Sequence, residues 1–550
     1  SASRPFRRTV RRSLTAGAAA LVAATALPAA PASARSTTQQ HVLLLSVDGM
    51  HQVDLARYVV DHPHSAFASL LRRGEGFSRA QTPLPSDSFP GMVGQVTGGN
   101  PKTTGIYYDV SYDHALLPAG TADCSGSPAL GAAINDDESA DLDNSRLDAG
   151  QGLSGLPGSI LAMTGTPVSL LNTASFPVDP ATCKPVLPHA QLRVNTVFEV
   201  ARQHGLRTAW SDKHAAYDIL QGPSGGGIQD LFTPEINSDT GEGTDWTGDN
   251  AKTQQYDGYK ARAVLNQIDG LDHSGAHHVG TPALFGMNFQ AVSTAEKLPS
   301  SGGQPGGCAA DGQTPGPVLA RALAFVDGQV GALLDELKSQ HLDKSTTVIL
   351  SAKHGQSPTD PAALLRIPDG PILDGLDSAW AASHPGAAPL VASATDDDAM
   401  IVWLSDRSAA AAAFVKSYLL GHDGTGNDIH GNPRAYQASG LKTVYAGKDA
   451  AAFFGSAAGD SRVPDLYAVA QHGVVFTGKK GKIAEHGGAD PQDRDVPLVI
   501  SGPGIGHGSS HAIVETTQIA PTILQLLGLD PRSLRAVQLE HTAVLPRSDK

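Results

Sequence analysis

The clearest pattern along the chain is a set of short, unbroken apolar runs separated by longer segments with helical spacing. Val42-Leu43-Leu44-Leu45-Ser46-Val47 is continuous, as in a strand buried on both faces of a parallel sheet. Ala283–Phe289, Thr346–Leu350, Met400–Leu404 and Leu498–Ser501 have the same character, and Leu206–Ser211 reads as a further strand. Val53–Arg73, Val194–His204, Gln254–Ile268, Pro317–Leu337 and Ile519–Leu527 read as helices, with Gly74 and Gly528 as stop signals. This alternation predicts an α/β fold: a mostly parallel central sheet sandwiched by helices. Two stretches, near 111–190 and 368–398, break the rhythm and are read as loop-rich insertions.

Composition adds bounds. The chain has 550 residues, 40% hydrophobic and 17% charged, enough for a sizeable core. A net charge of −14 argues against a nucleic-acid-coating surface. The first residues run the other way: Arg4, Arg7, Arg8, Arg11 and Arg12 precede an apolar run, Leu14–Leu27, and then Ala32-Ser33-Ala34. Basic, apolar and small zones in that order predict a signal peptide over 1–34, by the general or the twin-arginine route, ahead of a single domain over 35–550. The expected product is secreted or periplasmic, with no transmembrane anchor. Of three cysteines, Cys124 and Cys183 share a loop-rich region and are the preferred disulfide pair.

Candidate chemistry gathers where strands end. Asp48 follows the first strand, at the sheet edge where ligands sit in open α/β folds, although a turn-forming Asp accounts for it equally. Ser88, two residues before Pro90, stands at a helix start, where backbone N–H groups favour an alkoxide or phosphate; a helix-capping Ser is the plainer alternative. Lys353-His354-Gly355 and Asp212-Lys213-His214 also follow strands, which makes Lys213 and His214 candidates for substrate binding, against an exposed polar turn. His273 and His277, four apart, suit either a metal or a solvated loop.

Taken in order, Val47-Asp48-Gly49-Met50, Ser88-Phe89-Pro90, Val96-Thr97-Gly98, Ser351-Ala352-Lys353-His354-Gly355, His486-Gly487-Gly488, Val496-Pro497-Leu498 and Thr517-Gln518-Ile519-Ala520-Pro521 resemble the alkaline phosphatase superfamily. Within it they resemble the type I phosphodiesterase/nucleotide pyrophosphatase group. The resemblance implies a Ser or Thr nucleophile flanked by two zinc-like ions. Asp48, Ser88, His354 and His486 match its pattern, whereas Lys353 stands where the family has Asp, and Ser293 and Lys297 stand opposite a further Asp and His. A protonated lysine has no lone pair for a cation. The implied cofactor is therefore a divalent metal, zinc by ligand type, at one ion or fewer than the family's two, with Asp48, His354 and His486 as ligands. Lys353 and Lys297 would hold the transferring oxygens, and Asp109 replaces an Asn that steadies a phosphate oxygen. The implied function is an exported hydrolase of phosphoric esters acting on a small-molecule phosphate ester or phosphodiester through Ser88 and a covalent phospho-enzyme. The alternative is a degenerate anion- or envelope-ligand-binding protein on the same fold.

Overall fold

The computed structural model describes residues 39–478 and 481–547, so the expected signal segment lies outside the described residues. The described residues form one compact unit. At its centre is a nine-stranded sheet. Its strands are β1 (His41–Val47), β2 (Gly74–Gln81), β3 (Ala209–Ser211), β4 (Asp230–Phe232), β5 (Leu284–Phe289), β6 (Thr346–Ser351), β7 (Asp495–Val496), β8 (Val499–Ser501) and β9 (Gly508–Glu515). Their spatial order is β7-β2-β8-β6-β1-β5-β3-β4, with β9 also on β2. The block from β6 to β4 is parallel throughout. By contrast, β8 is antiparallel to both β6 and β2.

The unbroken apolar run of β1 now has a physical cause, since both of its faces are covered. Val42 and Leu44 face a core shared with Phe89, Met92, Phe198, Trp210 and Ile523. Leu43, Leu45 and Val47 face the opposite core, with Leu55, Phe67, Val264, Val326 and Val330. Each fully buried leucine contributes roughly 1.5–3 kcal/mol by leaving water. The helices supplying these layers are α1 (Gln52–Asp61), α2 (Ala66–Arg72), α3 (Ser88–Thr97), α4 (Val197–Gln203), α5 (Asn250–Ile268), α6 (Ala291–Lys297), α7 (Pro317–Ser339) and α8 (Ile519–Leu526).

Several expectations need correction. The helix read over 53–73 is two, α1 and α2, because Pro63 lacks an N–H and disfavours helical backbone at His62, which caps α1. The insertion read at 368–398 is only the start of a larger lobe built on two four-stranded sheets. Met400–Leu404, expected in the central sheet, pairs antiparallel with Val391–Asp396 and Leu466–Ala470 in that lobe. An apolar run signals burial and not the sheet it joins. Contrary to the expectation for membrane spans, α7 is long and apolar enough to cross a bilayer by length and composition. In the fold it packs against α5 and α6, burying one stripe from Val318 to Leu337. The 111–190 stretch holds short ribbons and turns, and the Cys124–Cys183 disulfide closes it.

Candidate active site

Register brings the candidate residues together. Val47 pairs with Phe289 and Ser46 with Ser351, so Asp48, Gln290 and the Ala352-Lys353 step leave the sheet side by side. Gly49, at φ +83°, then turns the chain so that its N–H reaches the His354 carbonyl at 3.1 Å. Opposite this edge, Asp87 caps α3 by accepting from the Phe89 N–H at 3.1 Å. Ser88 is therefore the first helical residue, and its hydroxyl is free of the capping role that would explain it away. Gly91 brings α3 down onto β6: a Cβ there would lie 2.2 Å from the Lys353 carbonyl oxygen.

Lys213 Nζ donates to Ser88 Oγ at 3.0 Å and to Asp48 Oδ2 at 3.2 Å. Gln290 Nε2 donates to the same Asp48 oxygen at 2.5 Å. His354 Nε2 lies 3.2 Å from Ser88 Oγ, while its Nδ1 faces the Gly355 carbonyl at 2.9 Å. Only a protonated Nδ1 can bond to that carbonyl, so in a neutral ring Nε2 offers Ser88 a lone pair. The rings of His354 and His486 have centroids 3.9 Å apart, and His486 Nδ1 sits 3.3 Å from Asp87 Oδ1. Ser88 is only 2% exposed. The open edge of the cluster is cationic: Lys297 and Lys213 keep 18% and 15% of their side chains in solvent.

Electrostatics follow from dryness and crowding. Burial alone would raise Asp48, but Lys353, Lys213 and His354 outweigh it and hold the carboxyl far below the usual range. For Lys213 burial works against charge, and Asp48, Asp212 and Asp87 reverse it, so the ammonium is reinforced. Burial pulls His354 down to about 3 and drives His486 well below the ordinary imidazole value, with His354 and Lys297 adding to the latter. Burial also lifts Asp87 to about 6 and Asp109 to about 7, the second helped by Asp87 itself.

Not every residue singled out in the sequence arrives where expected. Lys353 does not end on Ser88: it is fully buried, donates to Asp212 at 3.0 Å and Tyr217 Oη at 2.6 Å, and lies over the Tyr217 ring. Asp212, beyond β3, offers the counter-charge a dry ammonium requires. His214 turns away from the cluster, its Nδ1 2.9 Å from Glu235. Lys297 reaches Glu485 Oε2 at 3.0 Å, and Lys482 pairs with the other oxygen. Asp109 accepts from its own Val110 N–H at 2.7 Å and borders Asp87. Ser293 donates to Gln356 at 2.7 Å. His273 pairs with Asp230 at 2.5 Å and with the Met163 carbonyl at 2.7 Å, a structural role that argues against the His273/His277 metal reading. Gln290, Tyr217 and Glu485 were not foreseen, although Gln290, as the first residue after β5, had the same strand-end signal as Asp48.

The expected metal trio, Asp48, His354 and His486, is not among the groups whose donor atoms converge. Among the described residues, two sets have donors within 4.8 Å of one another: His51, Asp54 and Glu296, and Asp397, Glu485 and His486. The Ser88 side does not fit an ion. Bonds of ~2.0–2.2 Å to Asp48 and Ser88 would place a dication where the Lys213 ammonium lies. The Asp397–Glu485–His486 set offers two carboxylates and an imidazole, but Lys297 and Lys482 hold both Glu485 oxygens and Tyr108 donates to Asp397 at 2.6 Å, so an ion there would have to displace these donors.

The type I phosphodiesterase/nucleotide pyrophosphatase family model matches residues 42–137 and 161–491. The chain belongs to this family. No curated protein matches it. Among solved structures, this phosphodiesterase-family chain resembles murine ectonucleotide pyrophosphatase/phosphodiesterase 5, with a TM-score of 0.52 at 12% identity over 93% of this chain and 98% of that one. It also resembles the alkaline phosphatase PafA, with a TM-score of 0.58 at 14% identity over 90% and 97%. At these identities the likeness is one of fold.

Proposed function

We propose that the protein is an exported hydrolase of phosphoric esters that works through Ser88. The observation that carries this reading is the Ser88 hydroxyl at the N-terminus of α3, 3.0 Å from the Lys213 ammonium and 3.2 Å from a neutral His354 nitrogen. A hydroxyl beside a cation and a lone pair, under aligned backbone N–H groups, suits attack on an electron-poor phosphorus. Ser88 attacks in line, the ester oxygen leaves, and water then cleaves the phosphoserine. The anionic substrate enters from the edge where Lys213 and Lys297 meet solvent. An inactive threonine-to-alanine variant of murine ectonucleotide pyrophosphatase/phosphodiesterase 5 has been described in complex with AMP. Nucleotide phosphate esters are accordingly the first substrate class to test.

Any divalent ion, zinc by ligand type and at most one per chain, would be held by Asp397, Glu485 and His486 after displacing Lys297 and Lys482 from Glu485. Export is supported by the residue pattern of 1–34 and by the Cys124–Cys183 disulfide, which belongs in an oxidising compartment. The test is hydrolysis of an aryl phosphodiester by wild type and Ser88→Ala. We expect a rate lower by at least about 1,000-fold in the variant; equal rates would remove Ser88 from the reaction and leave the ligand-binding alternative standing.

A further inference from the structure

We propose that the nucleophile is activated without a metal ion: His354 Nε2 is the general base for Ser88, and the Lys213 ammonium fills the position between Asp48 and Ser88 that the family resemblance assigns to a cation. This rests on the reading of Ser88 as nucleophile and adds which groups activate it. Three observations carry it. The Lys213 ammonium touches both Asp48 Oδ2 and Ser88 Oγ, and Gln290 Oε1 accepts from it at 3.4 Å, so it is seated by three oxygens. The second lysine, Lys353, stands 4.0 Å from Asp48, in the place of a ligand that a metal would need, and has no lone pair to give. Finally, Nδ1 of His354 is committed to the Gly355 carbonyl, which aims the Nε2 lone pair at Ser88 and leaves the ring 3.9 Å from the nearest Asp48 oxygen.

In the first step the anionic phosphoryl group counters the burial that holds the free His354 ring at about 3, and the Ser88 proton passes to Nε2 as the Oγ–P bond forms and the bond to the leaving aryloxide breaks. The Lys213 ammonium stabilises negative charge on Oγ and on the phosphoryl group. In the second step water attacks phosphorus and the Oγ–P bond breaks. His354 returns its proton to Ser88, and the proton lost by water leaves on the product phosphate or to solvent, where it balances the aryloxide released first. No oxidant, reductant or bound ion takes part in either transfer. His354 is thus a catalytic residue by contact with the reacting oxygen, not a ligand.

The decisive experiment strips the full-length protein with chelator, verifies metal content by elemental analysis, and incubates it with bis-p-nitrophenyl phosphate. Mass spectrometry then follows phosphorylation of Ser88. The expected result is adduct formation at an undiminished rate in the stripped protein, slowed about 100-fold or more by His354→Ala and by Lys213→Met. Zinc titration supplies a readout independent of turnover and of any folding defect: wild type and His354→Gln bind the same number of ions, at most one per chain. Phosphorylation that disappears on stripping and returns with zinc, together with loss of one bound ion in His354→Gln, would overturn the proposal while leaving Ser88 as nucleophile. Absence of adduct both with and without metal would refute the Ser88 reading itself, and this inference with it.

Discussion

Gly91→Ala probes how tightly the nucleophile helix is seated. A Cβ at residue 91 would stand 2.2 Å from the Lys353 oxygen, 2.8 Å from its carbonyl carbon and 3.0 Å from its Cα. Ordinary carbon contacts begin near ~3.5 Å, so α3 and the end of β6 must part by about 1 Å. The strand end cannot yield easily, because β6 lies between β1 and β8, and Gln95 of α3 donates to the Ala352 carbonyl at 2.9 Å. Helix propensity alone would make alanine better than glycine by roughly 0.5–1 kcal/mol. Overpacking costs about 1–3 kcal/mol, so the net effect is a modest destabilisation. Its kinetic consequence is larger: Ser88 is one turn before Gly91, and a displacement of about 1 Å at a reacting group costs on the order of 100-fold in rate. Thermal melting and initial rates on an aryl phosphodiester check both parts. Full activity at an unchanged melting temperature would refute the close seating of α3 on Lys353.

Two further predictions concern buried charge. Burial and the adjoining Glu235 raise Asp141 to about 10, and burial raises Glu235 to about 8. Each is an acid whose folded value lies above its unfolded value near ~4, so the pair costs nothing below pH ~4 and destabilises increasingly as pH climbs toward the folded values. Asp141→Asn should therefore gain melting temperature relative to wild type between pH 5 and pH 9; a pH-independent difference would contradict this. Lys260 is fully buried, 3.3 Å from Asp257, whose other oxygen accepts from the N–H groups of Gln290 and Ala291 at 2.7 and 2.8 Å. Lys260→Met strands that carboxylate and should cost about 3–5 kcal/mol in denaturant unfolding, with a loss under 1 kcal/mol counting against the pair.

The sheet and its helices were legible because burial on two faces leaves continuous apolar runs, and β1, β5 and β6 each have one. Strand-end position also found Asp48, Lys213 and His354 without any view of the fold. What sequence could not supply was direction. Lys213 and His214 are neighbours, yet one reaches Ser88 and the other turns to Glu235. Lys353 was read as a hand for the substrate, but the carboxylate that claims it, Asp212, lies 141 positions away in sequence. Pairing partners at such separations depend on the packed backbone and are not encoded in local spacing. The same limit misplaced Met400–Leu404, whose hydrophobicity was right and whose sheet was wrong.

The antiparallel strand β8 has a consequence for how the molecule is made. It lies between β6 and β2, and the segment it belongs to also supplies β7, β9 and α8, the last resting on α3. Until residues beyond 495 emerge from the ribosome, the two parts of the sheet have no bridge and the helix bearing Ser88 lacks its support. Assembly of the site thus waits on the segment after 495, and a chain terminated before it is expected to lack a seated α3 and any activity that depends on Ser88.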